Sequence, residues 1–176
     1  MSELRELYQD LILDHGRRPR NFMVPVGHNC RADGHNPLCG DRISIYLCCD
    51  GDTLRDIGIQ GAGCAICMAS ASTMSEIVKG KSKLEVERMC DAFTGWIVKG
   101  DTSQRALLPS KLSAFEGVKE FPMRVKCATL AWHTLKAAIA GQGPIVVLPK
   151  VVPTPGLGLS GSESEGVGHV RNTQIN

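Results

Sequence analysis

No apolar run in this sequence approaches the ~20 residues that a bilayer-spanning helix requires. The N-terminal stretch MSELRELYQDLILDH is charged and amphipathic, without the continuous apolar core of a signal peptide. Both absences lead to the expectation of a cytoplasmic protein with no membrane partner. An excess of one charge is missing too: 20 Lys and Arg stand against 18 Asp and Glu, a formal net charge of +2. No field of one sign therefore points to nucleic acid. Aromatic residues make up only 5% of the chain, which also argues against a base-stacking surface. No internal repeat is evident.

What the chain has is punctuation and cysteine. Its 176 residues suit one domain with an appendage. Leu4, Leu7 and Leu11 recur at helical spacing up to Gly16, with Ser2 as the expected cap. Ile43, Ile45 and Leu47 alternate with Arg42, Ser44 and Tyr46, a half-buried strand that ends in a hairpin turn at Asp50-Gly51-Asp52. A strand before it, near residues 26–32, and one after it, near 54–60, complete an expected three-stranded antiparallel meander. Helical patterns then cover residues 65–79, ending at Gly80, and residues 83–98, with Gly95 weakening the last turn. A looser segment, 100–120, holds a short helix after Pro109. Pro122 opens a strong helix over 123–140 that closes at Gly141. The expected fold class is α/β of the α+β type, with a small sheet packed by about five helices. Residues 1–141 form the domain, and the Pro/Gly/Ser-rich segment 142–176 reads as an extended or disordered tail.

Eight cysteines in a reducing compartment argue for metal or sulfur chemistry over disulfides. Three fall at structural junctions. Cys39 lies in GHNPLCGDR, on a turn flanked by Asn36-Pro37 and Gly40; Cys64 opens a helix after QGAG; Cys127 lies in the first turns of the last long helix. A thiolate at a helix N-terminus is stabilised by the free N–H groups there. Asp41, two residues from Cys39, supplies an oxygen, and three sulfurs with one oxygen make a complete tetrahedral shell for Zn²⁺. Arg42, Arg124 and Lys126 lie close in sequence and are candidates to offset the resulting negative charge. Spacing alone is a moderate signal. The one CxxC, Cys64 and Cys67, opens a helix and also fits a dithiol redox motif, and no second CxxC exists to make a zinc ribbon.

Taken together, NPLCGD (36–41), GAGCAICMASAS (61–72) and MRVKCATLAW (123–132) resemble the IscU/SufU family of iron–sulfur cluster assembly proteins. The opening LYQDLILDHGRRPRNF resembles the family's N-terminal helix and the turn that follows it. The likeness runs in order over about residues 3–140. Lys126 stands where the IscU scaffolds carry His, and the segment between the second and third motifs is long, as in the SufU branch. The resemblance implies Cys39, Asp41, Cys64 and Cys127 as zinc ligands. It implies a SufS-type, pyridoxal-phosphate-dependent cysteine desulfurase as partner, whose persulfide sulfur Cys39 accepts. In the family a histidine of the desulfurase competes for the metal and frees the cysteine, which then exchanges with the persulfide as a thiol does with a disulfide. A downstream iron–sulfur scaffold would receive the sulfur.

The other reading is a scaffold on which the same ligands hold a transient Fe–S cluster. A structural zinc adaptor is a third. Cys67 occupies a position where the family commonly has Ser, and reads as a small buried residue, with substitute ligand or disulfide partner as its other readings. Cys30, Cys48, Cys49 and Cys90 match no motif and read as structural filler. His28, His35 and His133 are also available as ligands by type; His35, nearest the site, reads as a turn hydrogen-bonder.

Overall fold

The computed structural model describes residues 3–141 together with 146 and 147. Helix α1 (Glu3–Arg17) leads through an irregular crossing to strands β1 (Cys30–Asn36), β2 (Asp41–Asp50) and β3 (Thr53–Ala62). Helices α2 (Ala65–Val78), α3 (Lys83–Lys99) and α4 (Thr102–Arg105) follow. A 3-10 segment (Ser110–Glu120), helix α5 (Pro122–Ile139) and the two-residue strand β4 (Val146–Val147) complete the order. The three long strands form the expected antiparallel meander, an α+β arrangement, and β4 joins the free side of β1 in parallel. The expectation of a Ser2 cap, and of a tail over residues 142–145 and 148–176, lies outside the described residues. Among the described residues no helix is long and apolar enough to cross a membrane.

The strand β1 begins four residues later than the sequence suggests. Val26 is fully exposed, and His28 closes a turn onto the Pro25 carbonyl, so the chain does not extend until Cys30. Its inward positions are Ala32, Gly34 and Asn36, none of them large and apolar, because α5 lies directly over the strand. Periodicity of hydrophobic residues cannot reveal such a strand. In β2 the expected alternation holds, with Ile43, Ile45 and Leu47 buried against the helices. Tyr46 is buried on the other face, where Arg31 and His28 pack on its ring. The Asp50-Gly51-Asp52-Thr53 hairpin is tight, and a bulge beyond it shifts the register between Cys48 and Cys49. The segment after Pro109 is a 3-10 run, longer than the short helix expected there.

The core is aromatic despite their scarcity. Phe93 of α3 stacks on Trp132 of α5 at 4.5 Å between centroids, and meets Trp96 and Phe115 edge-on at 6.0 Å. All four rings are buried. Trp132 donates its indole N–H to Ser70 Oγ, which donates in turn to the Ala128 carbonyl, so a buried polar chain locks α5 to α2.

The end of α1 and the turn after it are fastened to α2 by Ser72 and Ser75. Ser72 Oγ accepts the Arg20 N–H at 2.7 Å and lies 2.8 Å from His15 Nδ1, and Asn21 donates to Ser75 Oγ. The Asn21 carbonyl also accepts the Ile59 N–H, which covers the open edge of β3. The motif His-Gly-Arg-Arg-Pro-Arg-Asn is thus a clamp between helix α1, helix α2 and the sheet edge.

Burial, followed by the charges of Arg20 and Lys111, pushes the His15 imidazole below its ordinary 6.5. The unfolded chain then binds a proton that the folded chain refuses, so His15 lowers stability as pH falls through ~6.5 and restores it as pH rises. Thermal melts should show a Tm that drops between about pH 7 and about pH 5.5. His15→Gln, with an amide in place of the ring, should show a flatter profile; an unchanged slope would refute the assignment.

Candidate metal centre

Each expected ligand reaches one place from a different element. Cys39 sits in the four-residue turn between β1 and β2, residues 37–40. Asn36 organises that turn: its side-chain oxygen accepts the Leu38 N–H and its carbonyl accepts the Gly40 N–H. Asp41 opens β2 opposite Asn36 and is buried, at 2% exposure. Arg42, the next residue, points to the opposite face and is exposed, as strand alternation demands. Cys127 lies on the second turn of α5, buried, with its thiol on the Met123 carbonyl at 3.4 Å.

Cys39, Asp41 and Cys127 bring one donor atom each to within 4.8 Å of one another. The two sulfurs are 3.7 Å apart. Cys64 joins through Asp41: its N–H donates to Oδ1 at 2.9 Å and its Sγ lies 3.7 Å from Oδ2. Cys64 is the N-cap of α2, its sulfur accepting the Cys67 N–H at 3.4 Å. Ligands held tetrahedrally at ~2.3 Å from a zinc ion stand about 3.8 Å apart. The spacing of Cys39, Asp41 and Cys127 suits a dication of borderline softness, and Cys64, which is close to Asp41, stands outside that mutually close group.

The electrostatics of the four groups differ. Burial acts to raise the Asp41 carboxyl, but hydrogen bonds from the Cys39 thiol and the Cys64 N–H outweigh it and hold the group below its ordinary range. Cys64 is lowered to about 6, first by the hydrogen bond from the Cys127 thiol and then by the N–H groups of Cys67 and Ile66, against the opposing effect of burial. The same hydrogen bond, with burial, raises Cys127. Burial and the Asp41 charge raise Cys39. Of the three junction cysteines, only Cys64 has its sulfur at the N–H groups of a helix start. The offset expected from Arg42, Arg124 and Lys126 takes no form of an ion pair to Asp41: Arg42 faces away, and Arg124 stacks on Phe121 at 4.8 Å.

Gly63 was not marked by sequence reasoning, yet it fixes the site. A Cβ there would lie 2.8 Å from Asp41 Oδ1 and 3.0 Å from its Cγ. The GAG before Cys64 was the available signal. His35 behaves as expected: its Nδ1–H donates to the Asp41 carbonyl at 3.2 Å, away from the cluster. Cys67 is fully buried under the site and is raised by burial and by Asp41 and Cys64. All eight cysteines are free, and Cys90 is fully enclosed by the core.

A model of the NifU-like N-terminal domain matches residues 7–92. The zinc-dependent sulfurtransferase SufU of Bacillus subtilis (strain 168) is 37% identical over 80% of this chain and 95% of its own length. The chain belongs to the IscU/SufU family. Within it, the iron–sulfur cluster assembly scaffold protein IscU of Streptococcus pyogenes serotype M1 is 40% identical, over 79% of this chain and 86% of its own. Identity alone therefore does not divide sulfur transfer from scaffolding. A solved structure of a SUF-system scaffold protein from Fervidobacterium islandicum AW-1 superposes with a TM-score of 0.68, at 31% identity over 77% of this chain and 98% of that one. The IscU/SufU fold, an antiparallel sheet packed by helices, is the one observed here.

Two outcomes are expected of the site. Gly63→Ala, whose backbone needs no glycine conformation, should weaken zinc binding about 10–100-fold in chelator competition while the far-UV spectrum stays native, because it displaces Asp41. In metal-free protein, alkylation of Cys64, read on its tryptic peptide, should reach half its maximal rate near pH 6.

Proposed function

We propose that the protein is a zinc-dependent sulfur-transfer component of iron–sulfur cluster assembly. Residues 1–141 carry the activity, and Cys39 accepts persulfide sulfur from a SufS-type cysteine desulfurase. The observation that carries this reading is the asymmetry of the cluster. Asp41 and Cys127 are buried, and Cys64, though exposed, is tied to a helix start, whereas Cys39 is exposed on a turn. A sulfur that must leave its neighbours and reach another protein belongs on such a turn.

Zinc bound by these four groups would hold the thiolates unprotonated and shield them from oxidation. Cys39 then attacks the outer sulfur of the desulfurase persulfide: the new S–S bond forms on Cys39, and the desulfurase cysteine leaves as a thiolate. Asp41 keeps its position through the Cys64 N–H while Cys39 swings out. Lys126 at the position before Cys127, where the resemblance to the scaffold branch would call for His, favours this reading over cluster scaffolding. The scaffold reading remains the alternative, with iron held by the same donors.

The test joins metal content with desulfurase turnover. Purified protein should carry about one zinc per chain and raise the turnover of the cognate desulfurase. Cys39→Ala should abolish that stimulation, at least about tenfold, with the fold retained. Equal stimulation by Cys39→Ala would end the acceptor assignment. A coloured cluster with little zinc after anaerobic purification would favour the scaffold.

A further inference from the structure

One residue is left over by that function: Cys67, the partner of the donor Cys64 in a CxxC. Cys64 and Cys67 form a CxxC at the start of α2, a 14-residue helix. Cys64 is exposed at the N-cap, Cys67 is fully buried one turn along, and the Cys67 N–H points at the Cys64 sulfur at 3.4 Å. Cysteines three apart across a helix start have their Cα atoms within the span a disulfide bridges, about 4.4–6.8 Å. An exposed attacking sulfur backed by a buried resolving thiol is the arrangement that makes dithiols reductants of S–S bonds. The pair also abuts the sulfur cluster, since the carboxylate that binds Cys64 lies in one group with Cys39.

Resting on the acceptor role of Cys39, we propose that Cys64 and Cys67 supply the two electrons that convert the sulfur carried by Cys39 into sulfide. Cys64 attacks the outer sulfur of the Cys39 persulfide, and the Cys39 thiolate leaves. Cys67 then attacks Cys64, forming the Cys64–Cys67 disulfide and expelling the carried sulfur as hydrogen sulfide. Cys39–S–SH and two thiols become Cys39–SH, one disulfide and H₂S, so the sulfane sulfur is reduced by two electrons and the dithiol is oxidised by two. A dithiol reductant resets the pair. A buried donor stands ready nearby: Asn36, opposite Asp41 on the β1–β2 ladder, is fully enclosed, and its Nδ2 has no hydrogen-bond partner among the described residues. An N–H of that kind suits an anionic sulfur passing through the site.

The experiment loads the full chain with inorganic polysulfide under anaerobic conditions, removes the excess, and follows sulfide release without added reductant. The tryptic peptide from Asp56 to Lys79 contains only these two cysteines, so its loss of two hydrogens reports their disulfide. Wild type should release close to one sulfide per loaded sulfur, with matching disulfide in that peptide. Cys67→Ser and Cys67→Ala should hold the sulfur and release it at least about tenfold more slowly, until dithiothreitol is added. Having both variants guards against a folding defect in either. Equal release by the Cys67 variants overturns the proposal. So does wild type that loads on Cys39 yet releases sulfide only with dithiothreitol, a result that leaves the acceptor reading intact. If Cys39→Ser loads and releases as wild type does, while release still needs Cys67, the acceptor reading fails and the dithiol chemistry stands.

Discussion

A buried carboxylate that forms no ion pair among the described residues is the constraint around which this protein is arranged. Asp41 is almost wholly enclosed, and what surrounds it is an N–H and thiols in place of an arginine or lysine. Such a charge is tolerable only if its oxygens are satisfied where they lie. The Cys64 N–H does this from the start of α2, and Cys39 and Cys127 do it from the β1–β2 turn and from α5. Three segments distant in sequence therefore converge on one side chain. The thiols gathered around it are the donors that suit a soft or borderline metal.

Convergence requires that the elements bearing these groups cannot drift, and α2 is the piece that holds them. Its serines are spent on fixed partners: Ser70 between Trp132 and the Ala128 carbonyl, Ser72 between His15 and the Arg20 N–H, Ser75 on Asn21. Each is buried and satisfied, so together they define the spacing of α1, α2 and α5 more sharply than apolar packing does. The aromatic stack of Phe93 on Trp132 fixes α5 from its other side. The turn after α1, read as a signature, is this clamp seen in sequence.

What was legible in the sequence follows from the same physics. The helices and β2 announced themselves because one of their faces is large and apolar. The gathering of Cys39, Asp41 and Cys127 was legible because each sits at a junction between elements, where the chain can bring distant segments to one point. The start of β1 was hidden, since its inward residues are Ala32, Gly34 and Asn36 under a close helix. The 3-10 run was hidden because its hydrogen bonding leaves no distinct periodicity over so few residues. Gly63 was hidden because an empty position carries no chemistry until Asp41 is placed against it. The charges of Arg42 and Arg124 take other places than nearness in sequence suggests, because neighbours along a strand face opposite ways and Arg124 is engaged by a ring.

The four donors are also graded in how firmly the fold owns them, and that gradation bears on function. Cys127 is held by a helix interior and by the Met123 carbonyl; Asp41 is enclosed; Cys64 is the cap of a helix whose first turn depends on its sulfur. Cys39 sits on a four-residue turn that Asn36 closes, with its sulfur against Asp41 and the Cys127 thiol. Displacing Cys127 or Asp41 disturbs a helix or uncovers a charge, whereas displacing Cys39 costs Asp41 one hydrogen bond and otherwise moves only a turn, with the Cys64 N–H still on the carboxylate. A group of donors built this way keeps the places of Asp41, Cys64 and Cys127 when the turn that carries Cys39 moves. Of the two exposed donors, Cys39 is the one on a turn, and the other, Cys64, stands at a helix start with Cys67 buried behind it.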